Sequence, residues 1–307
     1  MKICLLLGVI CQLLFLGCGR NRLKSGLDIV NGEEVRSEND FTYLSTVALY
    51  SRGRMVCTGT FVGPNHIVTA AHCLEKPVEK IGFGGKGTRA QFSVLKQMAH
   101  PSYSNFPTGY DGNRDEDTNA HSFLPLNSRP YDIGVLVFEE EVPEPFQPVG
   151  INLVVKNTDV VVAGFGVTSD HSHDGGVLRK VRSNVASIDV PGKEFSLIYD
   201  GRGACYGDSG GPVYQNSRGK HSLVGVTSRA GASGNCRSGD GIFSTVDNHK
   251  VWIDTAFKSL GKPLVRESDV GSETDAATNP GLSQFSTEDL VVELQRRGWD
   301  IVLTPKD

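Results

Sequence analysis

The residues best suited to chemistry in this chain are a serine, a histidine and an aspartate, each in its own short motif. Ser209 lies in the glycine-rich stretch Gly207-Asp208-Ser209-Gly210-Gly211-Pro212. A serine hydroxyl is a poor nucleophile unless a base takes its proton, so a catalytic Ser209 requires a histidine and a carboxylate that orients it. His72 follows one apolar run, and Asp132 precedes another. These residue types indicate acyl transfer by an activated serine, with the chain order His, Asp, Ser.

The sequences around these residues resemble one protease family. The motifs are Thr69-Ala70-Ala71-His72-Cys73, Asp132-Ile133-Gly134-Val135 and Gly207-Asp208-Ser209-Gly210-Gly211-Pro212. Together they look like the chymotrypsin/trypsin family of serine endopeptidases. The resemblance implies an all-β fold of two antiparallel six-stranded β-barrels with a closing C-terminal helix. Apolar runs at 44–50, 55–62 and 67–69, separated by glycine and proline, fit the short strands of such barrels.

The resemblance also implies a role for each site residue. His72 is the expected general base for Ser209, and Asp132 is expected to hold the histidine tautomer. The backbone N–H groups of Gly207 and Ser209 are the expected oxyanion hole. The competing class is a catalytically silent homologue that acts as a binding protein. Such homologues commonly lose the histidine or the serine, and this chain keeps both.

Length and composition limit the number of domains and the kinds of partner that the chain is expected to have. The 307 residues, 36 of them glycine, fit one large turn-rich β domain with extensions, or two small domains. A net charge of -4 gives no reason to expect nucleic acid as a partner, so the expected partners are protein or peptide substrates. No cofactor or metal is expected. The charged stretch 111–127 lacks calcium-loop spacing, and His171 and His173 have no third ligand nearby.

The seven cysteines divide by position along the chain. Three lie at the N-terminus, at Cys4, Cys11 and Cys18, and four lie in the body of the chain. The resemblance implies that the four form two bridges, Cys57 with Cys73 and Cys205 with Cys236. Zinc binding is the alternative, but the four lack paired Cys-x-x-Cys spacing. We therefore expect an oxidising compartment.

The N-terminus has the pattern of an export signal. Lys2 and the apolar run after it predict a signal peptide over 1–17. The sequence Gly17-Cys18 resembles the lipobox of bacterial lipoproteins, which predicts lipidation of Cys18, a bacterial source and attachment to a membrane only through that lipid. The alternative is an ordinary signal cleaved at Gly17 or Gly19. The expected locations are therefore the periplasm, a lipid-anchored position at the membrane, or the medium.

Residues 18–28 are predicted to be a tether or propeptide ahead of Ile29-Val30-Asn31-Gly32. That tetrapeptide resembles the family's activated N-terminus, in which a cut frees an isoleucine ammonium that pairs with the aspartate before the serine. The expected pair is Ile29 with Asp208, and such a pair could order the oxyanion turn only after the cut. Asp28 departs from the family's usual arginine or lysine, so self-activation by a trypsin-like cut is not expected. If Cys18 carries a lipid, the same cut would release the catalytic domain.

The pocket for the substrate side chain before the scissile bond is predicted from aligned positions. Gly203 stands six residues before Ser209, where trypsin-like members carry aspartate. Pocket walls are expected at Ala230 and Gly241, Ser228 is expected to support Asp132, and Arg229 replaces an aromatic residue that usually lines the cleft. A pocket without charge favours an apolar or aromatic side chain. Asp240 leaves a preference for basic side chains open.

The C-terminal part is predicted to differ from the catalytic domain. The protease domain is expected over 29–260. The residues that follow, 261–307, predict a flexible linker and then a short amphipathic helix. Two roles remain open for that helix, which are docking on the protease domain and binding another protein.

Overall fold

The computed structural model describes residues 29–103, 130–189, 193–198, 200–231 and 234–264. The predicted signal peptide, the lipidation site at Cys18, the tether over 18–28, the charged stretch 111–127 and the C-terminal helix lie outside the described residues. Among the helices of the described part, none is both long enough and apolar enough to cross a bilayer.

Short strands, nearly all of them antiparallel, make up most of the regular secondary structure in the described chain, as the alternation of apolar runs and turn residues predicts. The strands are β1 (Glu33–Glu34), β2 (Thr46–Ser51), β3 (Arg54–Gly63), β4 (His66–Thr69), β5 (Lys80–Phe83), β6 (Ala90–Ala99), β7 (Gly134–Phe138), β8 (Gly150–Ile151), β9 (Asp159–Gly164), β10 (Arg179–Ile188), β11 (Glu194–Leu197), β12 (Pro212–Ser217), β13 (Lys220–Arg229) and β14 (Ile242–Thr245).

Helices are few and short in the described residues. The α-helices are α1 (Phe41–Ser45) and α2 (Lys250–Ser259), and 3-10 helices form over Ala71–Leu74, Cys236–Ser238 and Asp247–His249. The strand predicted at 44–50 was placed too early, because α1 occupies its first residues. Asp40 caps this helix through a 2.9 Å hydrogen bond from Thr42 N to its Oδ1, and that cap stops the strand from extending backwards.

The strands form two barrels, and the fold predicted from the sequence is confirmed. The first barrel closes in the order β2-β3-β4-β7-β6-β5. The second runs β10-β11-β14-β13-β12-β9 and closes where β9 pairs with β10. The two-residue strands β1 and β8 add to this second sheet, at β10 and β13. A barrel leaves no open edges, which suits a chain of many short strands.

Aromatic and β-branched side chains fill the barrels, and polar contacts join them. In the first barrel the rings of Phe61 and Phe83 meet edge to face at 5.2 Å between centroids. Between the barrels, the buried hydroxyl of Tyr214 lies 2.9 Å from Ser45 Oγ and 3.0 Å from Thr46 Oγ1. The helix α2 packs on β7 of the first barrel. These contacts fix the two barrels side by side, and the site lies between them.

Packing does not stop at residue 260, where the protease domain was predicted to end. Leu264 is partly buried against the core that the two barrels share. Before it, the carbonyl of Lys262 lies 2.8 Å from Nε2 of the buried His66. The last described residues therefore lie against the first barrel.

Candidate active site

His72 and Asp132 meet because two paired strands end beside each other. β4 pairs with β7 through Thr69 and Gly134, so the residues just after β4 lie next to those just before β7. His72 Nδ1 lies 2.8 Å from Asp132 Oδ2. The backbone N–H of His72 donates to Asp132 Oδ1 at 3.0 Å. Two contacts to one carboxylate fix both the position of the imidazole and the tautomer that leaves Nε2 free to accept a proton.

Asp132 is fully buried, and its carboxylate has a third contact, from the second barrel. Ser228 Oγ, near the end of β13, donates to Asp132 Oδ2 at 2.6 Å. Burial alone would raise the pKa of Asp132, but the hydrogen bonds from His72 and Ser228 outweigh it and hold the pKa below the usual value. The aspartate therefore remains an anion beneath the histidine at neutral pH.

Ser209 lies on the second barrel, just before β12, and faces the turn that carries His72. Its carbonyl accepts from Thr58 N of β3 at 2.8 Å and lies 3.5 Å from the sulfur of Cys73, the neighbour of His72. Among the described residues, no hydrogen bond joins Ser209 Oγ to His72, whose side chain is 22% exposed at the cleft. Such bonds are often long without substrate and tighten when it binds.

The predicted oxyanion donors are the backbone N–H groups of Gly207 and Ser209. Gly207 has a φ of 96°, a left-handed value that favours glycine. Its carbonyl accepts from Thr58 Oγ1 at 2.9 Å. Within the described chain, neither Gly207 N–H nor Ser209 N–H is used in an internal hydrogen bond. Both donors are therefore available to a substrate oxygen.

Asp208 is buried beneath this turn and holds it from inside. Its Oδ1 accepts from Gly166 N at 2.7 Å, and its Oδ2 accepts from Cys205 N at 2.8 Å. Burial raises the pKa of Asp208 to about 7, although the two N–H donors and the positive charge of Arg179 act in the opposite direction. A Cβ on Gly166 would lie 2.6 Å from Asp208 Cγ, so the carboxylate fits only against glycine.

Ile29 lies inside the second barrel and not at the surface. Its side chain is fully buried in the second barrel's core, and the next residue, Val30, bridges to Gly203 through a 3.2 Å bond from Gly203 N to Val30 O. The φ of Ile29 is 45°, a left-handed value that a β-branched residue rarely adopts. In this uncut chain, where Asp28 precedes Ile29, the donors to the Asp208 carboxylate are Gly166 N and Cys205 N. The predicted contact between Ile29 N and Asp208 is not among these bonds.

Both predicted disulfide bridges are confirmed. Cys57 and Cys73 join at an S–S distance of 1.98 Å, and Cys205 and Cys236 join at 2.03 Å. The first ties β3 to the turn that carries His72. The second ties the Ser209 loop to the 3-10 helix on the far side of the pocket.

A cavity of ≈ 240 Å³ opens beside Ser209. The predicted pocket residues that line it are Ser228, Arg229, Ala230, Asp240 and Gly241. Gly203 instead packs against Gly239, which lines the cavity, and a Cβ added at Gly203 would lie 3.2 Å from Gly239 Cα. Tyr206, which is 63% exposed, also lines the cavity and was not predicted as a site residue. Its position directly after Cys205 in the serine motif was the signal available.

Two charged groups at the pocket have partners within the protein. Asp240 is buried, and its Oδ1 accepts from Ser238 Oγ at 2.5 Å. Arg229 forms a two-bond ion pair with Glu194, from Nη1 to Oε1 at 2.5 Å and from Nη2 to Oε2 at 3.1 Å. Glu194 was not predicted, because no local pattern links it to a residue so far along the chain.

Comparison with known proteins places this arrangement in a family. The chain is 28% identical to the clotting factor G beta subunit of Tachypleus tridentatus over 204 residues, which are 57% of this chain and 62% of that protein. It is 25% identical to a chymotrypsin of Phaedon cochleariae over 251 residues, which are 75% of this chain and 82% of that protein.

A solved structure and a family model also match this chain. The solved structure of mouse neuropsin, a serine protease, matches with a TM-score of 0.56 and 20% identity, covering 74% of this chain and 98% of that one, which supports the fold. The Trypsin family model matches residues 29–253. The chain therefore belongs to the trypsin family of serine endopeptidases.

Proposed function

We propose that this chain is an endopeptidase that hydrolyses peptide bonds through His72, Asp132 and Ser209. The observation that carries the proposal is the fixed contact between His72 and Asp132, with Nδ1 2.8 Å from Oδ2, opposite an exposed cleft that Ser209 lines. His72 takes the proton of Ser209 as its oxygen attacks the scissile carbonyl, and then gives it to the leaving amine. Water then attacks the acyl-enzyme in the same way, with His72 as its base, and the step releases the acid product and free Ser209.

Charge that develops on the carbonyl oxygen in the transition state needs donors that are already in place. The N–H groups of Gly207 and Ser209 fit this role, because neither is used in an internal bond within the described chain. Asp132 stabilises the imidazolium that forms on His72. The pKa of Asp132 is held low by its hydrogen bonds, so it stays an anion and the proton rests on the histidine.

The test of the proposed function is covalent labelling by a fluorophosphonate probe. We expect the activated chain to be labelled, and we expect Ser209→Ala to lose all labelling because the hydroxyl is the attacking group. Ser187→Ala, which removes a part-buried hydroxyl on β10 that pairs with Ser196, is the matched control and should be labelled normally. Failure of every form to react would favour the competing class, a silent homologue that binds proteins.

The side chain before the scissile bond is proposed to be apolar or aromatic. Ala230 and Gly241 line the cavity, and the carboxylate of Asp240 already accepts from Ser238. Gly203 and Gly241 bring no charge to the pocket, and an uncharged pocket favours an apolar side chain. The alternative is a basic preference through Asp240, since this residue also lines the cavity.

Parallel cleavage of matched peptides with Phe, Leu or Arg before the scissile bond separates these preferences. We expect kcat/KM to be higher for Phe and Leu than for Arg by about tenfold or more, because the pocket positions at Gly203, Ala230 and Gly241 offer an arginine no carboxylate. Asp240→Ala should change the Arg rate little. Strong Arg cleavage that Asp240→Ala abolishes would establish the basic preference instead.

Export and activation complete the proposal. The chain is proposed to be exported as a zymogen, with 1–17 removed, Cys18 lipidated and a cut before Ile29 that frees the catalytic domain from the membrane. Comparing the N-termini of membrane-bound and released protein tests this, and an intact tether on the active form would contradict it. The C-terminal helix within 261–307 is proposed either to dock on the protease domain or to bind another protein.

A further inference from the structure

Arg229 and Glu194 come together across a third strand of the second barrel. β14 lies between β11 and β13, and pairs Glu194 with Ser244 on one side and Arg229 with Ile242 on the other. Both charged side chains extend to the same side of β14 and form two parallel hydrogen bonds, the geometry in which a guanidinium fits a carboxylate best. The pair is thus built by register and not by chance contact at the surface.

The two members of the pair are not equally accessible. The side chain of Glu194 is 4% exposed, whereas that of Arg229 is 15% exposed. Arg229 lines the cavity beside Ser209, and Glu194 does not. A substrate that enters the cleft therefore meets the cation, with the carboxylate behind it.

Not all the donors of Arg229 are used within the described chain. A guanidinium carries five N–H groups. Glu194 accepts two of them, and Ser228 Oγ lies 3.4 Å from Nη1 as a third, weaker partner. Arg229 makes no further bond among the described residues. The remaining N–H groups belong to a side chain whose orientation is already fixed, so binding an acceptor would cost it little rotamer entropy.

We propose that Arg229, anchored by Glu194, selects substrates that carry an acidic side chain within the three residues before the one that enters the pocket. The proposal rests on the proposed endopeptidase function and adds a substrate class to it. An apolar neighbour would gain nothing from the charged wall, and a basic one would be repelled. A carboxylate gains a charge-assisted hydrogen bond from a fixed donor.

Matched peptides with one favoured residue before the scissile bond test this selection. Asp, Asn or Lys is placed in turn at each of the three preceding positions. We expect kcat/KM for Asp to exceed that for Asn by about tenfold at one position at least, and Lys to fall below Asn. The ratio should shrink as salt is raised from 50 mM to about 500 mM, because screening weakens an accessible charge pair.

Two variants distinguish a role of Arg229 in substrate selection from a purely structural role of its ion pair with Glu194. Arg229→Gln should bring the Asp-to-Asn ratio to about one. Glu194→Gln keeps the cation but removes its counter-charge, so the ratio should rise. A purely structural pair would predict an equal loss of rate for all peptides in both variants. Arg182→Gln, which removes an exposed arginine on β10, is the control and should leave the ratio unchanged.

Loss of folding is distinguished from loss of selection by fluorophosphonate labelling of each variant. If Arg229→Gln alone is not labelled, the double variant Glu194→Gln with Arg229→Gln removes both charges together and should also show a ratio of about one. An Asp-to-Asn ratio near one in the unsubstituted protein, or a ratio that survives in a labelled variant without Arg229, would overturn the inference. If the unsubstituted protein neither reacts with the fluorophosphonate probe nor cleaves any peptide, the proposed function is overturned instead.

Discussion

Asp132→Asn should lower kcat by about four orders of magnitude while the protein stays folded. His72 Nδ1 lies 2.8 Å from Asp132 Oδ2, which accepts and never donates while ionised. An asparagine can place an N–H donor there. Nδ1 then accepts this hydrogen bond, and the favoured tautomer of the imidazole carries its proton on Nε2. That nitrogen then cannot take the proton of Ser209. The developing imidazolium also loses its counter-ion.

The measurement is kcat for a peptide substrate together with the melting temperature. Asn and Asp have nearly the same shape. The Ser228 hydroxyl, 2.6 Å from Oδ2, can rotate to accept from the new N–H donor at that position, so we expect little change in melting temperature. Asp159→Asn, a change at an exposed position that begins β9, is the matched control and should keep full activity. A loss of less than tenfold at Asp132 would mean that the aspartate does not orient the histidine.

Short strands of the first barrel were predictable because the sequence carries their signals locally, whereas the two-barrel fold was implied by the family resemblance. Turn residues bound the runs at 55–62 and 67–69, and the structure has β3 and β4 at these positions. The contact between His72 and Asp132 was expected from the family resemblance, and the structure brings the two residues together because β4 pairs with β7. The start of β2 was missed because a single capping aspartate, Asp40, overrides the apolar run that follows.

The Glu194 and Arg229 pair could not be predicted for a physical reason. It depends on the register of β11 and β13 against the strand between them, and a shift of one residue would turn either side chain to the other face. Nothing in the residues around Glu194 specifies that register. The same limit applies to Gly203, whose contact with Gly239 depends on how two loops approach each other.

Cutting the chain before Ile29 should raise kcat/KM by at least about a hundredfold. Both oxyanion N–H groups are unbonded in the uncut chain, and an ammonium paired with Asp208 would hold the turn that carries them in place; one such donor is worth about that factor. In the uncut chain, burying Ile29 requires a φ of 45°, which costs about 1 to 3 kcal/mol at a β-branched residue. A cut removes the preceding carbonyl carbon and with it this restriction. It also creates an ammonium at a buried nitrogen, close to the Val30 and Gly203 bridge.

A defined cut can be made in the full chain by replacing residues 24–28 with Asp-Asp-Asp-Asp-Lys and adding enteropeptidase. We expect activity to rise with the appearance of the Ile29 N-terminus. The matched control has one glycine inserted before Ile29, so that it is cut equally well but presents its ammonium one residue too early. Equal activity in the uncut, cut and glycine-extended forms would show that the N-terminus does not order the oxyanion turn.

Asp208 gives this activation a dependence on pH that stability measurements can follow. Burial raises its pKa to about 7, so the uncut folded chain holds this carboxyl protonated at a pH where the unfolded chain has released the proton. Stability from this group is complete below about pH 4 and is lost as pH rises towards 7, by roughly 4 kcal/mol in all. The unfolding free energy of the uncut chain should therefore fall between pH 5 and 8.

In the cut chain this fall should be much smaller, because an Ile29 ammonium paired with Asp208 would stabilise the ionised carboxylate and lower its pKa. Denaturant unfolding of both forms at pH 5 and pH 8, each with Ser209→Ala to prevent self-digestion, measures the difference. Asp208→Asn in the uncut chain removes the titrating group and should abolish the fall. If the cut and uncut chains lose stability equally, the ammonium does not reach Asp208, and the oxyanion turn must be ordered by the Gly166 and Cys205 donors alone.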